Sequence, residues 1–231
     1  MSQQASLGEP VKIKVCGLTR ADEALACLEA GVDWLGLNFF PASSRFLTPA
    51  RALEILEKLP TRRSAVGLFV DRSTAEVAQL AHWLGLSSIQ LHGSEPPEAV
   101  AELGRTYRVI RAFRLGDVPA VEAMKSYLGA CHSLGRLPDF ALIDAFVPGQ
   151  PGGTGQVVDV GILAALRDFD QVPLILAGGL TPANVGERLG YLSLAGVDVA
   201  GGVESSSGRK DPVKVAAFVD AVQSDKSKQP G

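Results

Sequence analysis

Short apolar runs alternate along this chain with amphipathic stretches, and the cycle repeats eight times. The runs are Val11–Cys16, Val32–Phe39, Ser64–Val70, Ser88–His92, Val109–Phe113, Phe140–Asp144, Leu174–Ala177 and Val197–Ala200, lengths that suit buried strands. The stretches that follow them predict helices over Ala21–Ala30, Pro49–Leu59, Thr74–Leu84, Pro97–Leu103, Val118–Tyr127, Val160–Asp168, Pro182–Leu189 and Pro212–Val222. Thr19, Thr48, Ser73, Thr181 and Asp211 are N-cap residue types near those helix starts, and three of them stand directly before Pro. A helix between two strands forms a crossover rather than a hairpin, so the strands are expected to run parallel. Eight such units close into a (β/α)8 TIM barrel, an α/β fold. The competing architecture is an open doubly wound sheet. Its usual marker, G-x-G-x-x-G after the first strand, is absent here. Residues 129–135, Gly-Ala-Cys-His-Ser-Leu-Gly, read as a loop inserted before the sixth strand.

Length agrees with one barrel domain: 231 residues, with short tails expected at 1–9 and 224–231. A chain of this size buries enough core to fold without disulfides or metal. A net charge of −3 argues against nucleic acid or an anionic membrane surface as partner, since both select basic patches. Cys16, Cys27 and Cys131 lie far apart with no C-x-x-C pair, the usage of a reducing compartment, and their spacing builds no metal site. No run approaches the roughly 18 apolar residues of a membrane span, and residues 1–10 lack the apolar core of a signal peptide. The cytoplasm is the expected location.

Barrel enzymes of this kind work at the C-terminal ends of their strands, and the unusual residues fall there. The first strand ends in Cys16-Gly17, the fourth in Gln90-Leu91-His92-Gly93, the sixth in Asp144. Alternation along the first strand puts Ile13 and Val15 toward the helices and Lys12, Lys14 and Cys16 toward the barrel interior. On the sixth strand it puts Ala141 and Ile143 outward and Phe140, Leu142 and Asp144 inward. Cys16 and Asp144 therefore both point inward at the top, a general-base and general-acid pair. Cys27 and Cys131 have no such position and are read as small buried hydrophobes. Asp144 precedes a Gly/Pro-rich stretch, so helix capping is a poor explanation for it. His92 fits a hydrogen-bonded core histidine as well as a site residue. The seventh and eighth strands run into Gly178-Gly179 and Gly201-Gly202. Glycines there let the backbone approach a phosphate closely, and loops seven and eight form the usual phosphate site of this fold.

These segments resemble the phosphoribosylanthranilate isomerase family of tryptophan biosynthesis. The resemblance runs from Lys12 to about Val219. It rests on Lys14-Val15-Cys16-Gly17-Leu18-Thr19, Gly36-Leu37-Asn38-Phe39 with Ser44-Arg45, Val66-Gly67-Leu68-Phe69-Val70 and Gln90-Leu91-His92-Gly93-Ser94-Glu95. It continues through Leu142-Ile143-Asp144, Gly152-Gly153-Thr154-Gly155, the Leu176–Val185 segment and Gly196-Val197-Asp198-Val199 with Gly202-Val203-Glu204. The resemblance implies a cofactor-free, metal-free Amadori rearrangement of a small phosphorylated substrate. Cys16 matches the family's general base, Asp144 its general acid, and Arg45 the residue that holds the anthranilate carboxylate. His92, Lys14, Gly153, Gly178, Gly179, Gly201 and Gly202 are the further substrate-binding candidates. A monomer or homodimer is expected. Two departures from the family pattern stand out: Val158-Asp159-Val160 in place of Phe-Asp-Trp, and Ala200 in place of Ser. Related phosphate-binding barrels differ at the acid-base pair. Indoleglycerol-phosphate synthase uses Lys and Glu, the histidine-pathway isomerase two Asp residues, and a non-catalytic phosphosugar binder would need neither Cys16 nor Asp144.

Overall fold

The computed structural model describes residues 10–145 and 159–225. In chain order it contains β1 (Lys12–Cys16), α1 (Ala21–Glu29), β2 (Trp34–Asn38), α2 (Pro49–Leu56), β3 (Ala65–Phe69), α3 (Thr74–Leu84), β4 (Ser88–Leu91) and α4 (Pro97–Leu103). Then follow β5 (Arg108–Leu115), α5 (Val118–Ser133), β6 (Phe140–Ala145), α6 (Val160–Ala165), β7 (Leu174–Leu176), α7 (Val185–Leu189), β8 (Gly196–Val199), β9 (Glu204–Ser206), β10 (Arg209–Lys210) and α8 (Pro212–Asp225). Strands β1 to β8 form a closed barrel in sequence order. They pair in parallel, and β8 returns to β1 with Lys14 opposite Asp198. No helix among the described residues is long and apolar enough to cross a membrane.

Two apolar layers follow from the period-two alternation of the strands. Ile13, Val15, Ala141 and Ile143 are buried between sheet and helices. Trp34, Val66, Ile110, Ala112, Leu142, Ile175 and Ala177 fill the barrel interior, with Phe140 packed on them. Both β1 and β6 thus present the faces that the alternation predicts. Lys12 lies at the lower mouth, where its ammonium meets Asp33 at 2.9 Å.

Four local expectations change. Residues 129–133 continue α5 instead of looping, because Val121, Met124, Leu128 and Cys131 recur on one face and are all buried. Gly129 looks into open space, and Gly135 closes the helix with φ +79°. Thr19 does not cap α1. Arg20 occupies the cap position without a side-chain bond, and the Thr19 hydroxyl donates instead to the Gly208 carbonyl at 2.8 Å. Thr181 does not cap α7, which begins at Val185 with Asn184 at its cap position. Last, β9 and β10 form an antiparallel hairpin that the periodicity gives no sign of. Thr48, Ser73 and Asp211 do cap: each accepts a bond from a backbone N–H of the first turn.

Candidate active site

A cavity of roughly 410 Å³ opens at the C-terminal ends of the strands. Cys16, Arg45, His92, Asp144, Gly178, Gly179, Gly201 and Gly202 all line it. Gly153 lies outside the described residues, as does Val158 of the departing tripeptide. Asp159 of that tripeptide caps α6, accepting from the Gly161 N–H at 2.7 Å. The other departure, Ala200, lines the cavity.

Cys16 is the last residue of β1 and reaches the cavity floor. A Cβ at Gly36 would stand 2.8 Å from its Sγ and 3.1 Å from the Lys14 Nζ, so the bare backbone of β2 leaves the room that both side chains fill. Lys14 itself is a correction to the expected substrate contacts. It is fully buried one layer below Cys16 and donates to Asp198 at 3.0 Å, and it is not part of the cavity wall. An ammonium without water needs a carboxylate, and Asp198 across the β1–β8 pairing supplies it. Burial alone would lower the Lys14 pKa, but Asp198 and Cys16 outweigh it and hold Lys14 above its ordinary value. Burial pushes the Cys16 thiol up, while Lys14 and Lys210 act in the opposite sense.

Asp144 meets His92 across the cavity, Oδ2 to Nε2 at 3.4 Å. The Gln90 amide contacts the other ring nitrogen, Nδ1, at 2.7 Å. His92 is therefore both a hydrogen-bonded interior histidine and a cavity residue. The segment that carries it is fastened from below. Glu95 accepts from the Gly93 N–H and the Asp71 N–H at 2.9 Å each. Arg111, stacked 5.2 Å from the Phe113 ring and 5.1 Å from the Tyr127 ring, donates to the carbonyls of Leu91 and Gly93 at 3.1 Å each.

Arg45 arrives from the loop after β2. Its stem lies across Gly17, where a Cβ would stand 2.2 Å from the Arg45 Cδ. Its guanidinium binds Glu204 through Nε and Nη2, both at 2.7 Å. Glu204 also accepts from Lys210 at 2.8 Å, and Lys210 donates to the Ala200 carbonyl at 3.1 Å. Burial would raise the Glu204 carboxyl, but the bonds from Arg45 and Lys210 outweigh it and hold Glu204 below its ordinary value. Reading single residues at strand ends missed Asp198, Glu204 and Lys210. Lys14, Arg45 and Lys210 all act on Cys16, and their carboxylate partners are Asp198 and Glu204. The cations oppose the upward push that burial and Asp198 exert on the Cys16 thiol.

In the loop after β7, Gly178 and Gly179 have φ of +82° and +59°. Asn184 secures the turn, accepting from the Thr181 N–H at 2.8 Å and donating to the Gly179 carbonyl at 3.0 Å. A Cβ at Gly202 would lie 1.8 Å from the Leu180 carbonyl oxygen, so the loops after β7 and β8 pack together backbone to backbone. A short 3-10 turn, Gly201–Val203, follows β8.

A closed eight-stranded parallel barrel with a thiol, a carboxyl and paired glycine loops around one cavity at its C-terminal rim defines a barrel enzyme. Sequence comparison narrows the class. Residues 13–221 match the family model described as N-(5'-phosphoribosyl)anthranilate (PRA) isomerase. The N-(5'-phosphoribosyl)anthranilate isomerase of Geobacter metallireducens is 43% identical over 209 residues, 90% of this chain and 97% of that protein. Among solved structures, phosphoribosyl anthranilate isomerase from Thermotoga maritima superimposes with a TM-score of 0.82 at 30% identity, covering 93% of this chain and 99% of that one. A phosphoribosyl anthranilate isomerase in complex with reduced 1-(o-carboxyphenylamino)-1-deoxyribulose 5-phosphate matches with a TM-score of 0.79 at 29% identity, over 93% of this chain and 99% of that chain. This chain belongs to the phosphoribosylanthranilate isomerase family.

Proposed function

We propose that this protein isomerises N-(5'-phosphoribosyl)anthranilate to 1-(o-carboxyphenylamino)-1-deoxyribulose 5-phosphate in tryptophan biosynthesis, with Cys16 as general base and Asp144 as general acid. One observation carries the reading: Cys16 and Asp144 open into the same cavity, whose wall also includes Arg45 and the two glycine loops. Asp144 gives its proton to the furanose ring oxygen. The C1–O bond breaks as the anthranilate nitrogen lone pair forms the C1=N bond. The Cys16 thiolate then takes the proton from C2. The C–H electrons form the C1–C2 double bond of an enolamine, which tautomerises to the ketone. Every atom is conserved, so the step needs no co-reactant. His92 faces Asp144 and steadies it for proton delivery. The direct test is turnover of freshly generated substrate, followed by the loss of its fluorescence. No loss beyond the spontaneous rate refutes the activity.

The phosphate is assigned to the loops at Gly178-Gly179 and Gly201-Gly202, whose backbone approaches the cavity without side chains. Gly179→Ala forces a Cβ into left-handed backbone, a strain of roughly 1–2 kcal/mol. It should raise KM and weaken competition by inorganic phosphate. Unchanged phosphate inhibition would move the phosphate elsewhere.

Arg45 is assigned to the anthranilate carboxylate. Arg45→Lys retains the charge but loses the planar fork, which is not a conservative change at a two-point contact. The variant should bind the carboxyphenylamino ligand about tenfold or more weakly, the loss expected for a hydrogen bond to a charged group. A ligand lacking the carboxylate should bind as before. Equal losses with both ligands would give Arg45 a role in folding only.

We further take the chain as a single barrel domain acting in the cytoplasm, where the free thiols of Cys16, Cys27 and Cys131 stay reduced. Whether it is a monomer or a homodimer is read directly from its mass in solution by light scattering.

A further inference from the structure

Arg45 enters the cavity with one edge of its guanidinium already occupied. The Nε and Nη2 donors point away from the substrate space and end on the two oxygens of Glu204, at 2.7 Å each. A guanidinium has five N–H donors in one plane. The side edge uses two of them, and the end edge, formed by Nη1 and the second Nη2 hydrogen, stays available. Nη2 would stand only 3.6 Å from a Cβ on Gly201, so the group lies against the loop that follows β8.

Glu204 is a well-fixed anchor. Its side chain is 6% exposed. Lys210, which is buried, pins the same oxygen that receives Nε, at 2.8 Å, and bonds the Ala200 carbonyl as well. Lys214 donates to the Glu204 carbonyl at 2.7 Å. The hairpin that carries Glu204 is tied to the loops that follow β1 and β2. Gly208 accepts from Thr19 at 2.8 Å, and the Ser207 and Ser44 hydroxyls meet at 3.0 Å.

We propose that Glu204 is a positioning residue for substrate recognition: it holds the side edge of Arg45 so that the end edge faces the anthranilate carboxylate. The proposal rests on the reading that Arg45 holds that carboxylate. Glu204 does not touch substrate. It removes the rotational freedom that a long arginine would otherwise lose on binding, and it selects which pair of N–H groups forms the two-point contact. Without it the charge of Arg45 persists, but its direction does not.

The test compares wild type with Glu204→Gln, Arg45→Ala and the double variant. The probes are the reduced carboxyphenylamino-deoxyribulose phosphate and its phenylamino counterpart without the carboxylate. Folding of each variant is checked by thermal unfolding. Glu204→Gln should weaken the carboxylate-bearing ligand about tenfold, in line with loss of a charged hydrogen bond. It should leave the other ligand unchanged, and raise KM far more than it lowers kcat. In the Arg45→Ala background the same substitution should add almost nothing. The Glu204→Gln/Lys210→Gln pair leaves no stranded ammonium and should give the same split between ligands, so poor folding of the single variant does not block the experiment. If Arg45→Ala discriminates between the ligands and neither Glu204 variant does, the positioning role is overturned while the Arg45 reading stands. If Arg45→Ala weakens both ligands equally, both readings fall.

Discussion

Cys16→Ser is expected to fold normally and to lose about 10²–10⁴-fold in kcat, the usual contribution of a positioned general base. A hydroxyl is far harder to ionise than a thiol, and the substitution removes little volume. The environment of Cys16 gives the sign of its pH dependence. Burial raises its pKa, and Lys14 and Lys210 act against that; the proposed mechanism uses the ionised form. At subsaturating substrate, turnover should therefore climb as pH rises through the thiol titration. The other two cysteines are controls. Burial pushes Cys27 up to about 12 and Cys131 up to about 11, so both stay protonated, and neither lines the cavity. Cys27→Ser and Cys131→Ser should leave kcat almost unchanged. Near wild-type turnover in Cys16→Ser would remove Cys16 from the chemistry.

Asp144→Asn carries the second large effect. The furanose oxygen is a weak base, so ring opening needs a proton delivered as the bond breaks. Asn preserves the shape, and its amide still reaches His92, but it has no acidic proton to give. Substrate binding should persist while kcat falls by about 10²–10⁴-fold. A pre-opened substrate analogue separates the steps. If Asp144 acts on the ring oxygen, Asn should harm the analogue much less than the natural substrate. An equal defect with both would place Asp144 in a later step or in holding the site together.

The inward placement of Cys16 and Asp144 was legible in the residue order because strand alternation is strict. Once β1 and β6 are recognised, the inward direction of Cys16 and Asp144 follows, and both apolar layers agree with it. Local rules also reached Thr48, Ser73 and Asp211, whose caps depend on neighbours in the next turn. They failed wherever the partner is remote. Asp198 pairs with Lys14 across 184 residues, and Glu204 with Arg45 across 159. No local spacing records either pair. Lys14 looked like a substrate contact because its face was right, but its depth was not, and depth depends on how the barrel closes. Thr19 had the composition of a cap and instead fastens the β9–β10 hairpin, which is polar, short and without alternation. Residues 129–133 looked like a loop because of Gly129. Burial of Leu128 and Cys131 on the helical face outweighs that single weak position.

A single-turnover experiment with substrate deuterated at C2, in wild type and in Cys16→Ser, bears most directly on the claim that Cys16 removes the C2 proton. Wild type should convert the substrate rapidly, with the rate falling as pH is lowered through the thiol titration. In Cys16→Ser the C2 proton transfer becomes the slow step, so conversion should slow by about 10²-fold or more and show a full primary isotope effect. A Cys16→Ser variant that converts both substrates at the wild-type rate, with no isotope effect, would contradict it.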